Sequence, residues 1–91
     1  MKDVFTFTRE DWFNIGKTIS NEFIEAEKTF SYHRYAGYNF LDTNLCDETP
    51  LIRVYNDFYK ISKIQVCGDY TDGWQDIQPN TMERIVQYLN Q

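Results

Sequence analysis

The chain has 91 residues, 42% of them hydrophobic and 25% charged, which leaves room for one core and reads as a single α+β domain over residues 1–91. Nine basic against fourteen acidic residues give a net charge of −5, so direct binding of nucleic acid or of an anionic membrane is not expected, because both need a basic footprint. No apolar run is long enough to span a bilayer, the opening MKDVFTFTRED turns acidic at once, unlike a signal peptide, and two cysteines without C-x-x-C spacing, Cys46 and Cys67, fit reduced thiols in a cytoplasmic protein, with one disulfide between them as the alternative.

Residues 3–7 alternate apolar and polar and predict a short N-terminal edge strand. Thr8 then opens a helix predicted over 9–29. Thr8 and Asp11 have capping-box spacing, and Phe7 and Trp12 have the spacing of a hydrophobic staple. Trp12, Ile15, Ile19, Phe23, Ala26 and Phe30 form one apolar stripe at helical steps.

Residues 32–41 are rich in Tyr and Phe and read as one strand, with Gly37 marking a bulge or a close approach. A polar, acidic loop follows over 42–50. Residues 51–55 and 58–67 read as a hairpin turning at Asn56-Asp57, with a bulge near Ser62-Lys63 where the apolar phase slips between Ile61 and Ile64. Cys67 closes the apolar run IQVC and reads as a core thiol. After a loop over 68–79, Asn80 and Glu83 have cap spacing for a last helix with Met82, Ile85, Val86 and Leu89 on its apolar face.

The expected architecture is therefore α+β, in the order β-α-β-β-β-α. A three-stranded antiparallel meander, extended by the short N-terminal edge strand, carries both helices on one face. The other face would display the tyrosines of the 32–41 strand with Arg53, Tyr55, Lys60 and Lys63, according to register. The first strand either joins the sheet edge or pairs with a second copy, which leaves a homodimer open.

No catalytic apparatus is legible. His33 is the single histidine, its neighbours match no nucleophile motif, and it reads as a surface strand residue. One His and two scattered Cys do not build a zinc site. Asp69, Asp72 and Asp76 share a loop with Gly73, but their spacing departs from that of a calcium loop and fits a solvated turn. The expectation is a non-enzyme without cofactor or metal.

Surface chemistry remains. Seven Phe, seven Tyr and two Trp are more rings than so small a core holds, and Tyr and Trp favour interfaces as well as exposed strands. The acids cluster in the second loop, with Asp47 and Glu48, and around Trp74 in the last loop, with Asp69, Tyr70, Asp72 and Asp76. Those seven residues are the candidate partner-binding set, suited to a protein with a basic surface. Trp74 has two readings: an anchor for the partner, or a lid folded back on the core.

In being small, acidic, aromatic-rich and free of cofactor motifs, and in carrying strands between two helices, the chain resembles a class of inhibitors carried by phages and mobile elements. Anti-CRISPR proteins, anti-restriction proteins that mimic DNA, and toxin immunity proteins belong to it. The resemblance covers composition and element order, and it implies a phage protein that blocks the nucleic-acid-binding surface of a host defence protein such as a CRISPR effector. A charge of −5 is lean for a strict DNA mimic. The alternative is a binder that sequesters a nucleotide or other small molecule in a site of Tyr35, Tyr38, Arg53 and Tyr55.

Overall fold

The computed structural model describes residues 1–21, 30–35, 37–42, 51–67 and 73–91. Among these residues it is α+β, with five strands in an antiparallel meander of order β1-β2-β3-β4-β5 and two helices. Strands β1 (Ser31–Tyr35), β2 (Tyr38–Asp42), β3 (Leu51–Asp57), β4 (Lys60–Cys67) and β5 (Gln75–Asp76) lie between helices α1 (Arg9–Ile19) and α2 (Pro79–Leu89) in the chain.

Helix α1 starts as its sequence predicts. Thr8 Oγ1 accepts from the Asp11 N–H at 3.2 Å, and Asp11 Oδ2 accepts from the Thr8 N–H at 2.9 Å, closing the capping box. The Phe7 and Trp12 rings meet edge-on, 5.0 Å between centroids, so the staple is formed. The helix ends earlier than its apolar stripe implies. Ser20 is extended, and its N–H donates to the Gly16 carbonyl at 2.8 Å. Ser20 and Asn21 have short polar side chains that compete with helical hydrogen bonding. The stripe positions Phe23 and Ala26 lie outside the described residues, whereas Phe30 is buried in the core. Arg9 Nη2 donates to the Phe30 carbonyl at 2.8 Å, and its guanidinium lies 4.1 Å over the Phe30 ring, tying the helix start to the start of the sheet.

Three elements differ from expectation. The N-terminal segment is not an edge strand but a 3-10 turn over Val4–Thr6, because Asp3 Oδ1 accepts from the Phe5 N–H at 2.8 Å and curls the chain. Val4 and Phe7 reach the core from that turn, and Val4 N–H donates to the Tyr59 carbonyl at 2.8 Å. Residues 32–41 are not one strand. Gly37, at φ +89°, sits in a two-residue connection, and Tyr35 faces Tyr38 across a tight hairpin. Helix α2 begins at Pro79 with Gln78 as its extended N-cap, so Asn80 lies inside the first turn and Glu83 has no capping role. Proline is well placed at the first helical position, where its missing N–H would have had no partner.

The bulge predicted near Ser62 is present. Tyr55 pairs with Lys63 and Asn56 with Ile61, leaving Ser62 over, so that Ile61 and Ile64 both face the core. The turn lies two residues further on than Asn56-Asp57 suggested. Asp57 pairs with Lys60, Phe58 and Tyr59 make the connection, and Asn56 Nδ2 donates to the Phe58 carbonyl at 2.7 Å. Phe58 is held at φ +56° with 83% of its surface exposed. A side chain in that left-handed region costs about 1–2 kcal/mol that glycine avoids. Phe58→Gly is therefore expected to raise stability by roughly 1 kcal/mol after its larger unfolded-state entropy is counted. A urea midpoint that stays put or falls would contradict this.

One face of the sheet supplies Leu41, Ile52, Val54, Ile61 and Ile64 to the core, where they meet Trp12 and Ile15 of α1 and Ile85 and Leu89 of α2. Both helices thus contribute to the core on a single sheet face, as expected. Cys67 corrects its prediction. It pairs with Leu51, two positions along from the pair Arg53 and Gln65, so alternation puts it on the other face as a half-buried free thiol while Val66 packs inward. Cys46 lies outside the described residues.

Candidate functional site

The sheet face turned away from the helices carries an aromatic array with two cations. Register sets it. Tyr35 faces Tyr38, Tyr38 faces Tyr55, and Phe40 faces Arg53, which in turn faces Gln65. Residues paired across neighbouring strands share a face, so all of these project to one side. The Tyr35 and Tyr38 rings stack at 5.0 Å with planes 21° apart, and Tyr38 and Tyr55 lie 5.6 Å apart.

Trp74, just before β5, completes the array. Its ring meets Phe40 edge-on at 5.9 Å, and the Arg53 guanidinium lies 3.8 Å over it. The guanidinium is also 5.7 Å from the Tyr38 centroid, and Lys63 Nζ is 4.6 Å over Tyr55. These are cation–π distances, and they hold each charge against a ring with its N–H groups free to donate. Arg53 Nε is buried with no hydrogen-bond partner. Neither Arg53 nor Lys63 is within ion-pair distance of a carboxylate among the described residues, where Lys2–Asp11 is the single salt bridge.

Of the seven residues proposed from sequence, Trp74 and Asp76 are described. Trp74 is half-buried on the open face and is not part of the core, so it does not serve as the core lid. Asp76 pairs with Gln65 across β4 and β5, and its Oδ1 accepts from Gln65 Nε2 at 3.0 Å. Asp47, Glu48, Asp69, Tyr70 and Asp72 lie outside the described residues. Tyr35, Tyr38, Arg53 and Tyr55, named from sequence as a second possibility, are brought together. Phe40 was missed, since its place opposite Arg53 is set by the register of β2 on β3. His33 is an exposed residue of β1, opposite Phe40.

The groups with shifted titration lie elsewhere, at the start of α1. Asp11 is only 6% exposed. Burial pushes its carboxyl up, but Lys2 Nζ at 2.8 Å and the Thr8 hydrogen bonds outweigh this and hold it below the usual range. The Tyr88 hydroxyl donates to Asp11 Oδ1 at 3.3 Å, and burial raises the phenol. The cluster caps a helix and ties α2 to α1. Lys2 is 42% exposed, so solvent screens its share of the pair.

A carboxyl depressed in the folded state stabilises above its unfolded pKa of about 3.9, and that stabilisation is lost as pH falls through the folded value. Asp11→Asn is expected to cost about 1 kcal/mol at pH 7 through the cap. It should also flatten the fall in stability below about pH 4. Urea melts at pH 7, 4 and 2.5 check both, and an unchanged acid slope would mean that another carboxyl dominates.

No group of three His, Cys, Asp or Glu gathers among the described residues, and no helix among them is long and apolar enough to cross a membrane. No family model matches the chain, and no curated protein or solved structure matches it either.

Proposed function

We propose that this chain is a non-catalytic protein-binding inhibitor, and that it grips its partner with the open face of the sheet. The observation that carries this reading is the array of Tyr35, Tyr38, Phe40, Tyr55 and Trp74 with Arg53, on the side away from the helices. Tyr, Trp and Arg are the residue types that dominate binding hot spots. Here they brace one another on a sheet, so little side-chain freedom remains to be lost on association.

The net charge of −5 and the number of acids in the 42–50 and 68–76 segments of the sequence support a partner with a basic surface. The specific form of the proposal is a phage or mobile-element protein acting in the cytoplasm. Its target would be a basic, nucleic-acid-binding surface on a host defence protein such as a CRISPR effector. Neutralisation of a toxin by an immunity protein would use the same physical device.

Sequestration of a nucleotide is less well served. Tyr38 lies between Tyr35 and Tyr55, so the central ring of the array has a neighbour on each side. A nucleobase needs a free ring face.

The test is crosslinked capture in the native host with the wild type, a face variant (Tyr38→Ser with Trp74→Ala) and an outer-helix control (Glu83→Lys). A partner held by wild type and control but lost from the face variant, with all three melting alike, supports the proposal. A partner captured equally by all three refutes it.

A further inference from the structure

The centre of the open face has the opposite charge to the chain as a whole. Arg53 stacks on Trp74 at 3.8 Å and lies 5.7 Å from Tyr38, and Lys63 sits 4.6 Å over Tyr55. The nearby acid of β5, Asp76, accepts from Gln65 instead. Stacking fixes the guanidinium plane, and no described residue accepts a hydrogen bond from it. Its Nε is buried, so an acceptor reaches it end-on, at the terminal amino groups.

We infer that Arg53, backed by Trp74 and flanked by Lys63, receives a carboxylate from the bound protein. The inference rests on the protein-capture reading and gives it chemical content: at its middle the partner presents an Asp or Glu, whatever basic groups surround it. Two observations favour a protein carboxylate over a nucleic-acid phosphate. The chain carries −5 overall and repels a phosphate backbone. The central ring, Tyr38, lies between Tyr35 and Tyr55, so the middle of the array offers a base no free face. The arrangement is also unlike a DNA mimic, which would present acids at the centre of its contact.

The test is an NMR titration of the full chain, following the Arg53 Nε–H signal and the Trp74 indole N–H. The probes are a hexaglutamate peptide, a hexaglutamine peptide, inorganic phosphate and an oligothymidylate. Hexaglutamate is expected to shift both signals saturably, and hexaglutamine to leave them in place. Arg53→Lys should weaken the Trp74 response at least about tenfold, because an ammonium cannot form the planar bidentate pair. The inference is overturned if hexaglutamate gives no saturable shift, if Arg53→Gln responds as the wild type does, or if phosphate or oligothymidylate saturates at lower concentration than the peptide. Its failure is separable from that of the parent reading. Host capture that survives Arg53→Gln undiminished but is lost with Tyr38→Ser and Trp74→Ala removes the carboxylate and leaves protein capture standing.

Discussion

Trp12→Ala is expected to lower the unfolding free energy by about 3–5 kcal/mol, the usual range for deleting a large buried aromatic. Trp12 is fully buried. Its ring meets Phe7 of the N-terminal segment at 5.0 Å and stacks on Tyr32 of β1 at 5.7 Å. It therefore joins the first turn, helix α1 and the inner face of the sheet, and alanine would leave a void bordered by all three. A domain of this size has roughly 5–15 kcal/mol in total, so the variant should be close to unfolding at 37 °C.

The Trp12 indole N–H is buried without a hydrogen-bond partner, and such a group costs about 1–3 kcal/mol. Trp12→Phe removes that penalty while keeping most of the ring contact, so it should cost clearly less than Trp12→Ala. Urea unfolding of the two variants decides. A loss below about 1.5 kcal/mol for alanine, outside the usual range for a buried aromatic, would mean that the surrounding rings close over the gap.

Trp74→Ala is expected to do the reverse, lowering affinity for the captured partner by roughly thirtyfold or more, about 2 kcal/mol, with little change in the urea midpoint. Trp74 lies outside the core, and its ring meets Phe40 and Arg53 on the open face. Removing it also frees the Arg53 guanidinium to move, so both the anchor and its charged neighbour lose their positions. Binding measured by titration against the purified partner, beside equilibrium unfolding, separates the two effects. A large drop in midpoint with affinity unchanged would make Trp74 a structural residue.

Much of the fold was legible where local chemistry and tertiary structure agree. Thr8, Asp11, Phe7 and Trp12 announce the start of α1, and cap and staple both form. The phase slip between Ile61 and Ile64 announces the Ser62 bulge, since both side chains must face one core. Prediction failed where one residue decides between two extended geometries. Within a strand over 32–41 Gly37 reads as a bulge or a close approach, but its positive φ makes it part of a hairpin turn. The difference reaches the candidate site. In a continuous strand Tyr35 and Tyr38 would point to opposite faces, whereas across a hairpin they face one another and stack. Asp3 likewise turned an alternating segment into a 3-10 turn. The position of Trp74 was beyond sequence reasoning because it depends on β5, a two-residue strand whose pairing with β4 no local pattern marks.

The two indoles of this chain stand on opposite sides of one sheet, Trp12 sealed against Tyr32 and Trp74 lying under a guanidinium. The molecule therefore carries two built-in optical probes with separate subjects. Emission from Trp12 tracks whether the chain is folded, and emission from Trp74 tracks whether the outer surface is occupied. Single-tryptophan versions made with phenylalanine would let folding and occupancy be followed independently, without attaching a dye.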